Sequence, residues 1–298
     1  MVSDSFVADN GCMRAASSAA AFVVCALVAG IAPAEAAADL AVTITSRAVQ
    51  PGEVVRVSIA CTCDAVPAAT AFDREIPLAS SGRGRWQGLV GVDLDVVPGV
   101  YPLVVAVPGS PAHTTRLDVQ PKQFRTRTLR VANQFVEPGN DEVARILDEA
   151  ARLDRIFGLV TAPTWPRPFA LPLRTTPSGN FGSRSVFNGV PRQPHAGVDF
   201  SSRTGTIVTA PAAGRVALAD DLFFTGRTVI LDHGGGLYSL YAHLSAIAVG
   251  VDDVVEPGAR LGRVGATGRA TGPHLHWAVR LNGARVDPLS LIAATAAK

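Results

Sequence analysis

Residues 274–283 read His-Leu-His-Trp-Ala-Val-Arg-Leu-Asn-Gly, an extended segment running into a turn. Side chains alternate along a strand, so His274 and His276 share one face while Leu275 and Trp277 point to the opposite, core-facing side. Asn282-Gly283 is the dipeptide that two-residue hairpin turns favour. Two runs upstream read the same way, Thr228-Val-Ile-Leu-Asp232 and Leu237-Tyr-Ser-Leu-Tyr-Ala-His-Leu244, with Gly234-Gly-Gly236 between them as a turn. The region from about Phe169 to Ile292 is therefore β.

Six histidines occur in the chain, and five of them lie between His195 and His276. In His195-Ala-Gly-Val-Asp199 an imidazole and a carboxylate stand four apart, on one side of an extended segment. In Tyr241-Ala-His243-Leu the neighbours Ala242 and Leu244 face away from the histidine. Three such strands can bring their histidines to one surface. A catalytic zinc ion takes three nitrogen or oxygen ligands and keeps a fourth position open, and further histidines can move protons or stabilise an oxyanion. His233, beside the glycines, reads as a turn residue, and His113, in another region, as a surface one.

These residues also resemble a family. His195-x-x-x-Asp199, Tyr241-x-His243-Leu and Gly272-Pro-His274-Leu-His276 are similar to the motifs of the lysostaphin/LytM-type zinc metalloendopeptidases. Phe181-Gly182-x-Arg184, Ala210-Pro-x-x-Gly214 and Gly265-x-Thr-Gly268 match as well, so the resemblance covers about residues 165–292. It implies one Zn²⁺ per chain on His195, Asp199 and His276, with His243 and His274 as the catalytic pair; which of the two does which is left open. It implies hydrolysis of peptide bonds in bacterial peptidoglycan, in stem-peptide cross-links (D-alanyl–diaminopimelate bonds) or in glycine bridges. Peptidoglycan stem peptides are the implied partner, and a non-hydrolytic scaffold or activator is the alternative on the same fold. Some members place a tyrosine just before the first ligand histidine; here the stretch reads Phe187-Asn-Gly-Val-Pro, so no tyrosine takes that role.

Upstream, Leu40-Ala-Val-Thr-Ile-Thr, Val54-Val-Arg-Val-Ser-Ile and Tyr101-Pro-Leu-Val-Val-Ala-Val alternate between Pro-Gly turns, which suggests a small immunoglobulin-like β-sandwich carrying no chemical constellation. Cys61 and Cys63 lie two apart just after the second run and are read as structural, either bridged or as two thiols. A helix is expected from Asn140 as its cap to Gly158, with Asp141 and Glu142 in its first turn. Its stripe of Val143, Ile146, Leu147, Ala150 and Phe157 would pack on a neighbouring domain. Three prolines between Thr161 and Pro168 then read as a stiff linker.

Ala19–Ala34 is an uncharged run after Arg14 and before Ala34-Glu35-Ala36, the pattern of a secretory signal cleaved after Ala36. An uncleaved N-terminal anchor is the alternative, and translation starts at Met1 or Met13. Removing residues 1–36 takes away Arg14 and three acids and moves the net charge from +2 to +4. Charges this balanced give no footprint for nucleic acid, and no second run approaches membrane-spanning length. The expected organisation is a signal peptide over 1–36, a β-sandwich over 37–120, a helical connector and Pro-rich linker over 121–164, and a zinc metallopeptidase domain over 165–298. The fold class is mainly β, a grooved antiparallel peptidase domain preceded by the sandwich, in an exported protein of the periplasm or cell envelope with no stable membrane insertion after cleavage.

Overall fold

Alternation organises residues 40–119. In the computed structural model, which describes residues 40–63, 65–163 and 168–296, eight strands follow one another there. They are β1 (Leu40–Thr45), β2 (Val54–Cys61), β3 (Ala68–Ala71), β4 (Arg74–Glu75), β5 (Leu78–Gly82), β6 (Arg85–Gly91), β7 (Gly99–Ala106) and β8 (His113–Val119). Antiparallel pairing arranges them in two sheets, β1-β2-β6-β5 and β4-β3-β7-β8. Val55, Val57 and Ile59 of β2 and Trp86 of β6 meet Leu103, Val105 and Leu117 of the other sheet in one core. Cys61 and Cys63 are joined by a disulfide, with Cα atoms 5.3 Å apart because the chain leaves the strand after Cys61. The apolar run read as an export signal lies outside the described residues, as do residues 164–167 of the Pro-rich linker. Among the described residues no helix is long and apolar enough to cross a membrane.

The connector holds a strand that its sequence does not announce. Thr126-Arg-Thr-Leu129 forms β9, which pairs in parallel with β10 (Arg184–Phe187), itself hairpinned to β11 (Val190–Arg192). Phe124, just before β9, lies where a Cβ on Gly182 would fall 2.1 Å from its ring, so only glycine admits it. α1 (Asn140–Phe157) follows, capped by Gly139 in extended conformation; Asn140 is the first helical residue and not the cap, and no side chain caps this end. Of the expected stripe only Phe157 joins the packed face, together with Leu153 and Ile156, which were not in it. Leu153, Ile156 and Phe157 pack against Leu218, Leu222, Ile230 and Tyr238, whereas Val143 and Leu147 are 40% and 64% exposed.

The C-terminal region is one large antiparallel sheet. It contains β12 (Gly197–Ser201), β13 (Ile207–Thr209), β14 (Gly214–Leu222), β15 (Gly226–Asp232), β16 (Leu237–Ile247), β17 (Val254–Val255), β18 (Arg260–Val264), β19 (His274–Leu281) and β20 (Ala284–Val286). The spine runs β12-β19-β16-β15-β14-β17, β18 joins β16 to β13, and β20 flanks β19. Asn282 and Gly283 both take left-handed backbone (φ 47° and 76°), as the tight β19–β20 turn requires. α2 (Pro288–Thr295) closes the chain's described part, with Asp287 accepting from Leu289 N at its start.

The two β regions share core. Val54 and Leu89 turn away from the sandwich interior and pack with Ala284, Val286 and Leu291. Val54 N also donates to Ser290 Oγ at 2.8 Å. Beside them the buried Glu53 carboxylate accepts from Arg47, Lys122 and Ser290, and Arg285 pairs with Asp93 and Asp95.

Candidate metal centre and catalytic groove

Strand register builds the site. β12 opposes β19 with Asp199 across from His276 and Ser201 across from His274, while β16, on the far side of β19, sets Ala242 against His276. The segment before β12 is pinned by Gly182 N donating to His195 O and His195 N donating to Ser183 O. The Phe181-Gly182 turn thus carries the first histidine to the end of its strand.

His243 reaches the same place by a different device. β16 slips its register against β15 between Tyr241 and Leu244, and His243 takes φ +62°, left-handed backbone that is rare for a residue with a side chain. Tyr241, Ala242, His243 and Leu244 are all buried, so the simple in-out alternation expected for this strand does not hold. A β-bulge re-aims the histidine. His243 Nδ1–H donates to Thr267 O at 2.8 Å, which leaves Nε2 with the lone pair. Burial, reinforced by the His276 and His274 charges, pushes the His243 pKa down to about 3, so the ring is neutral at neutral pH.

The metal-ligand candidates converge. His195 Nε2 and His276 Nδ1 each lie 3.0 Å from Asp199 Oδ1, and the three donor atoms fall within 4.8 Å of one another. Two imidazole nitrogens and one carboxylate oxygen at this spacing fit a small tetrahedral cation whose bonds are about 2.0–2.2 Å, with one position left open. Burial works against the Asp199 charge, yet the hydrogen bonds from His195 and His276 hold its carboxyl far below the ordinary carboxylate range. The other oxygen, Oδ2, accepts from Asn180 Nδ2 at 2.7 Å, and Asn180 Oδ1 accepts from Asp199 N. His274 stands beside the cluster, Nε2 3.9 Å from Asp199 Oδ1, its ring 4.7 Å from that of His243. Its Nδ1–H donates to Gly272 O.

All five site residues read from the sequence line one open groove of about 450 Å³. Asn180, Thr225, Phe187, Phe224 and Arg269 line it too, and so do Arg127, Leu129 and Val131 of the connector. None of these was singled out as a groove residue beforehand. Asn180 sits immediately before the Phe181-Gly182 motif and Arg269 immediately after Gly268, so proximity to those motifs was the one available signal. The other two histidines stay apart from the cluster. His233 does open the turn, but its ring is buried. Nδ1 lies 2.7 Å from Ala213 O, Nε2 lies 2.6 Å from Ser239 Oγ, and burial pushes its pKa down to about 4. His113 is exposed on β8.

With this geometry in view, the likenesses to known proteins are specific. Residues 193–288 match Peptidase family M23. A crystal structure from Pseudomonas aeruginosa, described as a peptidase M23, is 34% identical, covers 83% of this chain and 96% of its own, and superposes with a TM-score of 0.65. The DD-carboxypeptidase/endopeptidase Mpg of Neisseria meningitidis is 41% identical over 97 residues, 33% of this chain and 22% of that protein. The peptidoglycan DD-endopeptidase ShyA of Vibrio cholerae is 36% identical over 113 residues, 38% of this chain and 26% of that one. These matches span about a quarter or less of the length of those two bacterial proteins.

Proposed function

The chain belongs to peptidase family M23, and from that premise we propose that it is a zinc-dependent endopeptidase cutting peptide cross-links of bacterial peptidoglycan, at D-alanyl–diaminopimelate bonds. One observation carries this reading: His195, Asp199 and His276 converge as a ligand set, with His243 and His274 beside them on an open groove. The names of the Neisseria and Vibrio relatives support the substrate class. The uncharged run at residues 19–34 supports action outside the cytoplasm, in the periplasm or cell envelope.

His195 Nε2, Asp199 Oδ1 and His276 Nδ1 would hold the ion. A bound Zn²⁺ supplies Lewis acidity toward the scissile carbonyl and acidifies the attacking water. The chain's own residues do the rest. His243, fixed as the Nδ1–H tautomer by Thr267, presents a neutral Nε2 that takes the water's proton and returns it to the departing amine nitrogen. His274 faces it across the same opening; Gly272 O holds its Nδ1–H, so it is the doubly protonated ring that donates from Nε2–H to the carbonyl oxygen as that atom gains charge. Asn180 locks the rotamer of Asp199, so the carboxylate is oriented before any ligand arrives.

Digestion of purified cross-linked peptidoglycan, with products identified by mass spectrometry, tests the proposal. Cross-linked dimers should become monomers with the zinc-loaded protein, and neither after chelation nor with His243→Ala. Undigested dimers under all conditions, or unchanged digestion in chelator, would overturn it.

A further inference from the structure

Arg269 has an unusual setting. Its guanidinium stacks on Phe224 at 4.5 Å and on Phe187 at 5.0 Å from the ring centroids, and its backbone N donates to Phe224 O at 2.8 Å. All three side chains line the groove that holds the five site residues. Among the described residues, the Arg269 guanidinium makes no ion pair and no side-chain hydrogen bond, although it is half-buried. Two more arginines stand close. Arg127 lines the same groove and donates from Nε to Ser185 Oγ. Arg192 is near enough for its charge to weigh, after burial, against the Arg269 proton, and its own Nη2 donates to a backbone carbonyl, Val136 O. Among the described residues the one carboxylate lining the groove is Asp199, and both its oxygens are taken by His195, His276 and Asn180.

A half-buried arginine with no counter-ion is costly unless an anion completes the site. Contacts with two aromatic rings restrict the guanidinium before anything binds. A planar fork of this kind matches a carboxylate with two parallel hydrogen bonds. We propose that Arg269, clamped between Phe187 and Phe224, binds a free carboxylate of the substrate peptide beside the scissile bond. This rests on the peptidoglycan reading above and narrows it. Stem-peptide cross-links carry free carboxylates along their length, whereas a glycine bridge is a run of neutral amides. The groove therefore selects the anionic stem peptide and not the glycine bridge, and Arg269 is a specificity-determining residue.

The test uses synthetic D-alanyl–diaminopimelate cross-linked stem peptides in which one carboxylate at a time is replaced by its carboxamide. Zinc-loaded wild type, Arg269→Gln and Arg269→Lys are compared on the full set. Wild type should prefer the all-carboxylate peptide over one particular carboxamide by about tenfold or more in kcat/KM, the scale of one lost charged hydrogen bond. Arg269→Gln should erase that preference, and Arg269→Lys should restore part of it. Titration calorimetry on the metal-free protein should show the same discrimination in binding. Equal cleavage of every peptide by wild type, or an equal loss on all of them in Arg269→Gln, would overturn the assignment. Discrimination in binding with no cleavage by the zinc-loaded protein would instead remove the peptidase reading and leave the carboxylate site standing.

Discussion

Asn180 holds Asp199 at two points, through Oδ2 and through the backbone N–H. Loss of a partner that orients a metal ligand typically costs tenfold to a hundredfold in affinity. Asn180→Ala should therefore weaken zinc binding by about that factor, read by competition with a chelator of known affinity. Unchanged affinity would mean that the two histidines alone orient the carboxylate. His243→Ala should separate metal from chemistry: zinc content stays at one equivalent while cleavage falls by about 10²–10⁴-fold. His276→Ala should lose the metal itself. The candidate ligands His195, Asp199 and His276 and the His243/His274 pair were named from the motifs' resemblance, and the structure brings all five to one groove. Asn180 was not, because it lies far from Asp199 along the chain and meets it only where the 178–183 segment runs beside β12, with Ser178 N donating to Asp199 O.

At the scale of elements, the connector is part of the catalytic body. β9 completes the β10–β11 sheet and supplies Arg127, Leu129 and Val131 to the groove. A chain starting at residue 165 would lack that wall and the partly buried Phe124 ring, whose packing contributes less than the ~1.5–3 kcal/mol of a fully buried side chain. It should unfold at a lower temperature than the chain starting at residue 37 and cleave stem peptides more slowly; equal midpoints and rates in calorimetry and digestion would show β9 to be dispensable. α1 also reaches a loop that lines the groove. The Glu149 carboxylate accepts from Phe223 N at 3.1 and 2.9 Å, steadying the loop that carries Phe224. Glu149→Ala should loosen one face of the Arg269 clamp and raise KM by a few-fold with kcat nearly unchanged. The helix itself was readable from Asp141, Glu142 and its apolar spacing, whereas which of its residues would be covered was not. That depended on where Tyr238 and Leu218 of the large sheet came to lie.

Across the whole molecule, Glu53 ties the sandwich to the C-terminal region. Burial opposes its charge, but hydrogen bonds from Arg47, Lys122 and Ser290 outweigh this and hold the carboxyl below its ordinary value. Below that value the unfolded chain binds a proton that the folded one refuses, so stability rises with pH there. The contribution is complete above the ordinary glutamate value of about 4.3 and is lost as pH falls through the lower folded value. Glu53→Gln should be less stable at neutral pH and should show a shallower loss on acidification, read from denaturant midpoints between about pH 7 and pH 3. Parallel curves for the two proteins would place the acid sensitivity elsewhere.

The sequence by itself determined the β character and the turns, because alternation and turn dipeptides are local properties of the chain, and its motifs pointed to the family and to five candidate site positions. Tertiary structure decided the rest. It set the register that opposes Asp199 to His276, the bulge that turns His243 into the site, and the parallel pairing of β9. It also set the second buried face of the sandwich at Val54 and the stacking of Arg269 between two rings. Each of these joins residues distant in sequence, and their geometry is fixed by which strands hydrogen-bond and in what register, not by the residue types at either end.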